Sequence, residues 1–328
     1  MVSCLWACGL CIVLPALLVG SLPYLVALVP HANFPVPQPG GCVLVTGASS
    51  GIGRAAALAI LSEGFEVYAG VRRLSDFDAL LASVKDEERK TLLKPLVLDV
   101  SKEEEIVAAA ETLRGSCASR FVGLINNAGI STKAPMETVP MDKFRTVLET
   151  NVFGLLSLTQ KLIPLLRQAQ GRIINVGSAS GTLATPLSGT YSASKFALEA
   201  ISDSLRLELR KWNVSVSMVN PAYVVTEIRQ KAVSQLNSGM VQADVEYYPD
   251  LFQRALDKEP KLLEIGAPCC ESTDSDILHA LKSPVPRTRY FPGNVAKNIP
   301  HYAVHWIVPL LTMVPEIERL ADIIKAKF

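Results

Sequence analysis

The hydrophobic pattern begins with a long apolar run. Residues 4–29 carry no charged side chain and are dominated by Leu, Val, Ala, Ile and Cys. The run exceeds the roughly 20 residues that a helix needs to cross a bilayer, so we predict a transmembrane anchor over residues 1–29. A cleaved signal peptide is disfavoured because no basic residue precedes the run, and a buried core helix because the run lacks a polar face. The endoplasmic reticulum is one candidate membrane; the orientation stays open, since no Lys or Arg precedes Arg54.

The pattern changes twice after this run. Residues 30–41 are rich in proline and glycine, which predicts an extended linker. From residue 42 onward, short apolar runs typical of buried parallel strands alternate with helical stretches. We therefore expect residues 42–328 to form one domain.

The alternation predicts a doubly wound α/β fold, because repeated β–α units give a parallel sheet with helices on both faces. The predicted strands are Cys42–Thr46, Val67–Val71, Leu96–Asp99, Phe121–Ile125, Arg172–Val176 and Val214–Val219. The predicted helices are Arg54–Glu63, Ser101–Thr112, Met141–Gln168 and Ser188–Lys211. Ligands of such a Rossmann-type sheet bind outside the carboxyl ends of its strands.

Composition excludes some classes of function. The formal net charge of +1 offers no basic footprint for nucleic acid. The seven cysteines show neither disulfide-framework nor metal-ligand spacing, so we predict free thiols and no metal site.

A glycine cluster lies between the first strand and the first helix. Residues 46–53, TGASSGIG, have the spacing G-x-x-x-G-x-G. Glycines at this place permit a tight turn and let backbone N–H groups approach a pyrophosphate at the helix N-terminus. The cluster alone could also be an ordinary strand–helix turn.

Further polar motifs follow the later strands in order. They are residues 126–129 (NNAG) after the fourth strand, Asn151 in a helix, Ser178 after the fifth strand, Tyr191-x-x-x-Lys195, and Asn220-Pro221 closing the sixth strand. Each motif has an ordinary structural explanation, but their joint occurrence at strand ends favours a ligand site there.

With these motifs the chain resembles the short-chain dehydrogenase/reductase family over residues 42 to about 226. The resemblance implies that Tyr191 is the acid–base residue, that Ser178 hydrogen-bonds the reacting oxygen, that Lys195 also holds the nicotinamide ribose, and that Asn151 supports a proton path. It further implies contact with a nicotinamide cofactor for Gly47, Ser49, Ser50, Gly51, Ile52, Gly53, Arg72, Asp99, Val100, Asn126, Ala128, Gly129, Tyr191, Lys195, Pro221, Val224 and Thr226.

Two chemical expectations accompany the resemblance. Residues 191 and 195 share a helix face, and an ammonium beside a tyrosine lowers the pKa of its phenol. Arg72 and Arg73 follow the second strand, where enzymes that prefer NAD place an acidic residue, and a guanidinium suits a 2′-phosphate. We therefore expect NADP(H), with NAD(H) as the alternative if the two arginines only form a solvated strand end.

The substrate is expected to be a lipophilic alcohol or carbonyl compound. Residues 283–293 are similar to a segment of family members that act on steroids and retinoids, and we assign residues 222–285 to substrate binding. This segment supplies apolar residues for a pocket, or for packing on the sheet: Ile228, Val233, Leu236, Met240, Val241, Tyr247, Tyr248, Leu251 and Phe252. A homodimer is left open. The alternative function is a catalytically inert scaffold or sensor that binds the cofactor.

Overall fold

The structure is a computed structural model that describes residues 33–221, 246–265 and 270–292. The chain divides into two units at Asn33, and nearly all described residues belong to the second unit. The predicted anchor over residues 1–29 lies outside the described residues. Within the described ranges, no helix combines the length and the hydropathy that a membrane crossing requires.

The described strands form a parallel sheet in the order β3-β2-β1-β4-β5-β6-β7. The strands are β1 Cys42–Thr46, β2 Glu66–Val71, β3 Leu93–Val97, β4 Phe121–Asn126, β5 Arg172–Val176, β6 Ser215–Val219 and β7 Arg289–Tyr290. The chain leaves β3 at one edge and returns at β4 beside β1. This crossover opens a crevice at the carboxyl ends of β1 and β4, where such folds bind ligands.

Helices cover both faces of the sheet. They are α1 Gly51–Ser62, α2 Leu74–Ala82, α3 Glu87–Lys90, α4 Glu103–Ser116, α5 Met141–Leu148, α6 Leu155–Ala169, α7 Gly189–Leu209, α8 Pro249–Ile265 and α9 Glu271–Lys282. Successive side chains of β1 point to opposite faces, so Val43 packs in one apolar core with α1 and α9, and Leu44 in another with α4, α6 and α7. The prediction of a doubly wound parallel sheet is confirmed.

Two elements differ from the prediction. The third strand starts at Leu93, three residues earlier than expected, since an edge strand tolerates the exposed Pro95 and the partly exposed Lys94. The helix expected over 141–168 is interrupted by a π-helical turn, Glu149–Gly154, between α5 and α6. Such turns are frequent at functional sites.

The prediction of free thiols is wrong for three cysteines. Cys42 begins β1 and Cys117 follows α4; both are buried, their Cα atoms are 6.0 Å apart, and a disulfide joins them. Cys270 is also disulfide-bonded. The Glu66 carboxylate lies near the Cys42 and Cys117 sulfur atoms, but a disulfide leaves no thiolate there for a metal ion.

Part of the segment assigned to a linker is bound to the domain. The Phe34 amide donates to the carbonyl oxygen of Pro284, 2.8 Å away. The fully buried guanidinium of Arg172 donates to the carbonyl oxygens of Pro35 (2.8 Å) and Ser283 (3.0 Å). The segment is thus fixed at the amino end of the sheet, away from the crevice.

Candidate active site

The turn between β1 and α1 has the shape of a phosphate cradle. Gly47 and Gly51 have φ values of +64° and +52°, which favour glycine. A Cβ atom at Gly53 would overlap the Gly47 carbonyl oxygen, so the close approach of helix to turn requires glycine there too. The first turn of α1 holds no acidic residue, and the hydroxyl of the N-cap residue Ser50 makes no capping hydrogen bond. The exposed Ser49 and the partly buried Ile52 complete the turn. These features fit a pyrophosphate bound by the backbone N–H groups of the first turn.

Thr46 and Asn127 tie this turn to the end of β4. The amides of Asn127 and Ala128 each donate to Oγ1 of Thr46 at 2.9 Å. The Asn127 side-chain amide donates to the carbonyl oxygens of Thr46 (2.9 Å) and Gly47 (3.2 Å). Neither residue was among the expected site residues, although both lie inside the motifs. Their positions beside the glycines were the available signal.

Asn126 was expected to contact the cofactor, but its side chain is buried beneath the crevice. Its side chain is buried and donates to Oγ1 of Thr159 (3.0 Å) and Oδ1 of Asn175 (2.9 Å). Nδ2 of Asn175 in turn donates to the Ser202 hydroxyl at 2.8 Å. This network connects β4 and β5 to helices α6 and α7 and so supports the crevice from below.

The structure separates the roles of the two arginines after β2. Arg73 pairs with Asp76 at 2.8 Å, whereas Arg72 is exposed and lies near Asp99. Burial raises the pKa of Asp99, but hydrogen bonds from Ser101 and the charge of Arg72 outweigh it, so the net pKa is lowered. Arg72 and Asp99 therefore share one side of the crevice.

Val100 and Gly154 are in contact next to this pair. Val100 is buried, and a Cβ at Gly154 would overlap its carbonyl oxygen. The glycine at the end of the π-helical turn therefore allows α6 to approach the segment that follows β3.

Tyr191, Lys195 and Ser178 come together at the carboxyl end of β5. The Ser178 hydroxyl lies close enough to Tyr191 to lower the pKa of its phenol, and Nζ of Lys195 lies 5.6 Å from the centre of the Tyr191 ring. Lys195 is 4% exposed and donates to the Val176 carbonyl oxygen at 2.8 Å. The helical spacing of the motif thus produces the shared face that was expected.

Burial dominates the electrostatics of this group. It raises the pKa of Tyr191, partly offset by the hydrogen bond with Ser178, and it lowers the pKa of Lys195 to about 8. The Lys195 ammonium was expected to lower the pKa of Tyr191, but the net shift is upward. The reason is that burial raises the pKa of the phenol, while the ammonium of Lys195 donates to the Val176 carbonyl oxygen.

Asn151 occupies the π-helical turn and is fully buried. Its Nδ2 donates to the carbonyl oxygen of Ile130 and to Oγ of Ser194, both at 2.9 Å, and its Oδ1 accepts from the Ile130 amide at 2.9 Å. Ser194 Oγ donates to the Tyr191 carbonyl oxygen at 2.7 Å. Asn151 therefore links α7 to the loop containing Gly129, whose Cβ position would lie 3.2 Å from Oδ1.

The far side of the crevice is described in part. The carbonyl oxygen of Pro221 accepts from the Ala179 amide at 3.1 Å. Val224 and Thr226 lie outside the described residues, as do the expected pocket residues Ile228, Val233, Leu236, Met240 and Val241.

Three of the four remaining pocket residues lie around Leu187, two residues before α7. Phe252 is 4% exposed and packs on Leu187, with Tyr248 and Leu251 alongside, while Tyr247 is 68% exposed. The Tyr248 hydroxyl donates to Glu137. This apolar cluster therefore borders the start of the helix that carries Tyr191.

Comparisons with known proteins identify the family. A family model described as short chain dehydrogenase matches residues 41–237, more than half of the chain. The mitochondrial D-beta-hydroxybutyrate dehydrogenase of Rattus norvegicus is 33% identical over 269 residues, covering 77% of each chain. The 17-beta-hydroxysteroid dehydrogenase type 6 of Bos taurus is 33% identical over 266 residues, covering 76% of this chain and 80% of the relative.

Solved structures share the fold. A short-chain dehydrogenase from Streptomyces avermitilis has a TM-score of 0.67 and 25% identity, covering 86% of this chain and 98% of its own. A short chain dehydrogenase/reductase from Burkholderia phymatum, solved in complex with NAD, has a TM-score of 0.65 and 20% identity, covering 78% of this chain and 89% of its own. The chain is thus a member of the short-chain dehydrogenase/reductase family, an oxidoreductase with a nicotinamide cofactor.

Proposed function

We propose that the chain transfers hydride between NADP(H) and the alcohol or carbonyl group of a lipophilic substrate, with Tyr191 as the acid–base residue. The observation that carries the proposal is that the Tyr191 ring, the Ser178 hydroxyl and the buried ammonium of Lys195 lie together. A scaffold that only binds the cofactor could use Lys195 to hold the ribose, but it would not need the hydroxyls of Tyr191 and Ser178 next to each other. The conjunction of the three side chains therefore favours an enzyme.

Each residue of the site has its own role in proton transfer. Tyr191 donates a proton to a carbonyl oxygen, or accepts one from an alcohol, and Ser178 hydrogen-bonds the same oxygen. The nicotinamide, when bound, supplies or accepts the hydride. Lys195 would hold the ribose with its Nζ and keeps a positive charge near Tyr191 below pH 8, where it is protonated. Asn151 fixes the helix turn on which Tyr191 lies.

Arg72 favours NADP(H) over NAD(H). Among the described residues, no acidic side chain pairs with Arg72, whereas Arg73 is held by Asp76. A 2′-phosphate beside Arg72 would supply the missing anion through a charge-assisted hydrogen bond. The same phosphate would lie near Asp99, whose negative charge acts against it.

The test is cofactor affinity in Arg72→Ala. Loss of a charge-assisted contact costs about 1.5–3 kcal/mol, so NADPH should bind about 10- to 150-fold more weakly and NADH nearly as before. Arg73→Ala is the matched control, expected to change neither affinity. Equal weakening of both cofactors in Arg72→Ala would contradict the assignment.

A lipophilic substrate is supported by the apolar cluster around Leu187 and Phe252 next to α7. The relatives do not decide the substrate, since one is named for a small hydroxy acid and another for a steroid. We expect catalytic efficiency to rise along a series of alkyl ketones by about fourfold for each buried methylene, or ~0.8 kcal/mol. Initial rates of the detergent-solubilised protein measure this. A flat or falling trend would contradict the proposal.

The membrane anchor remains part of the proposal. It is supported by the uncharged run over residues 4–29. The disulfide between Cys42 and Cys117 supports placing the domain in an oxidising compartment, because disulfides are rare where thiols are kept reduced. Full-length protein should stay with membranes after carbonate washing and be released by detergent. Release by carbonate alone would contradict a spanning helix.

A further inference from the structure

Glu199 lies one helical turn after Lys195 and has two partners. The carboxylate is 8% exposed. Its Oε1 accepts from Nδ2 of Asn220 at 2.5 Å, and its Oε2 accepts from Nε of Arg289 at 2.9 Å. One side chain of the catalytic helix therefore contacts the end of β6 and the start of β7.

The loop carrying Ser178 rests on this group. A Cβ atom at Gly177 would overlap Oδ1 of Asn220, and one at Gly181 would lie 3.3 Å from Cγ of Glu199. Oδ1 of Asn220 is buried and has no hydrogen-bond partner among the described residues, an arrangement that costs stability. The two glycines on either side of Ser178 thus let the loop lie directly on Asn220 and Glu199.

Arg289 connects β7 to Glu199 and its neighbours. It follows residues 222–285 and lies in β7, where the Tyr290 carbonyl oxygen accepts from the Asn220 amide at 2.8 Å. Nη2 of Arg289 also contacts both carboxylate oxygens of Asp203, at 2.8 and 2.7 Å. Asp203 is held in turn by Arg206 at 2.5 Å. The inner end of this ion-pair network is Glu199, and the outer end is Asp203.

We propose that Glu199 is a positioning residue: by holding Asn220 and Arg289 together, it sets the distance between Ser178 and the Tyr191–Lys195 pair. The inference rests on the proposed function of Tyr191 and Ser178. Asp203 shares Arg289 but contacts neither Asn220 nor the Ser178 loop in the described contacts. Variants of Glu199 and Asp203 can therefore distinguish a positioning role from an ion pair that only stabilises the fold.

Glu199→Gln tests the proposal, because glutamine keeps the size but has one acceptor oxygen where glutamate has two. The neutral amide weakens the pair with Arg289, and its NH2 group cannot accept the hydrogen bond that Asn220 now donates, so we expect kcat to fall ~10-fold or more, since small displacements of reacting groups are costly. The dissociation constant of the cofactor should change by a smaller factor than kcat, because the glycine loop lies elsewhere and Pro221 alone follows directly on Asn220. Asp203→Asn, the matched control, should keep kcat within about twofold of the wild type even where its melting temperature falls.

The outcomes are distinguishable. Wild-type kcat in Glu199→Gln, or an equal loss of kcat in Asp203→Asn, would overturn the positioning role. If Glu199→Gln does not fold, Arg289→Met decides, because methionine keeps much of the side-chain length but donates no hydrogen bond to Glu199. A fall in kcat of ~3-fold or more with unchanged cofactor affinity supports the proposal, and unchanged kcat overturns it. Absence of turnover in the wild type would refute the proposed function instead.

Discussion

Lys195 combines a positive charge with a buried position. Burial lowers its pKa to about 8, so the side chain is still mostly charged at neutral pH. The cost of that charge is borne by the folded protein, because the same ammonium is fully hydrated after unfolding. Such a cost is expected at a functional site, and it can be measured through stability.

The free energy of unfolding should rise with pH above 8. The pKa of Lys195 is lower in the folded protein, about 8, than its ordinary value of 10.5, so between these pH values the unfolded chain binds more protons. Unfolding should therefore become less favourable over this window by about 3 kcal/mol relative to Lys195→Met, which cannot titrate. Urea denaturation of both proteins from pH 7 to pH 10 measures the difference. Parallel profiles would show that Lys195 is not buried as a titrating group.

At the scale of elements, the β1–α1 turn depends on close backbone contact. The position of a Cβ at Gly53 is filled by the Gly47 carbonyl oxygen and by Nδ2 of Asn127. Asn127 also holds the end of β4, so the turn and the crevice form one unit. A side chain added at Gly53 would separate the helix from the turn and displace the N–H groups proposed to bind phosphate.

Gly53→Ala should therefore weaken cofactor binding. Overpacking typically costs about 1–3 kcal/mol, and where the bound state bears that cost the affinity falls by about 5- to 150-fold. Gly115→Ala is the matched control, since Gly115 lies in helix α4 with open space at its Cβ position. That variant should bind cofactor normally and gain about 0.4–1 kcal/mol of stability. Normal cofactor binding by Gly53→Ala, measured by calorimetry, would contradict the cradle.

The sequence was sufficient to predict the elements that a run of neighbouring residues specifies. The apolar runs of β1, β4, β5 and β6 and the helical spacing of Tyr191 and Lys195 were sufficient for the sheet and the acid–base pair. The π-helical turn was missed because one inserted residue hardly alters helical periodicity. β7 was missed because a two-residue strand carries no period. Its charged Arg289 also gave no sign of a strand, and it is accommodated there because α7 supplies two carboxylates that pair with it.

At the scale of the molecule, a long-range cross-link joins parts that sequence spacing cannot connect. Cys42 and Cys117 are 75 residues apart in the chain and lie at the amino end of the sheet, opposite the crevice. A closed loop of this size restricts the unfolded chain strongly. The bond should therefore affect stability without affecting the site.

Replacing both cysteines should separate these effects. Cys42→Ala/Cys117→Ala should lose about 4 kcal/mol in the free energy of unfolding, because the unfolded chain is no longer cross-linked, and should keep the kcat of the wild type. Reductant should destabilise the wild type more than the double variant, which lacks the Cys42–Cys117 bond but keeps the disulfide of Cys270. Identical stability with and without reductant in the wild type would show that the pair is not oxidised.

The most direct test of the acid–base assignment is a single turnover with Tyr191→Phe. The variant keeps the ring and its packing but removes the proton that is hydrogen-bonded with Ser178. After mixing NADPH-loaded protein with a ketone that the wild type reduces, the loss of nicotinamide absorbance measures hydride transfer. We predict a rate ~10²-fold or more below the wild type with cofactor affinity unchanged. A rate near that of the wild type would contradict the assignment of Tyr191 as the proton donor.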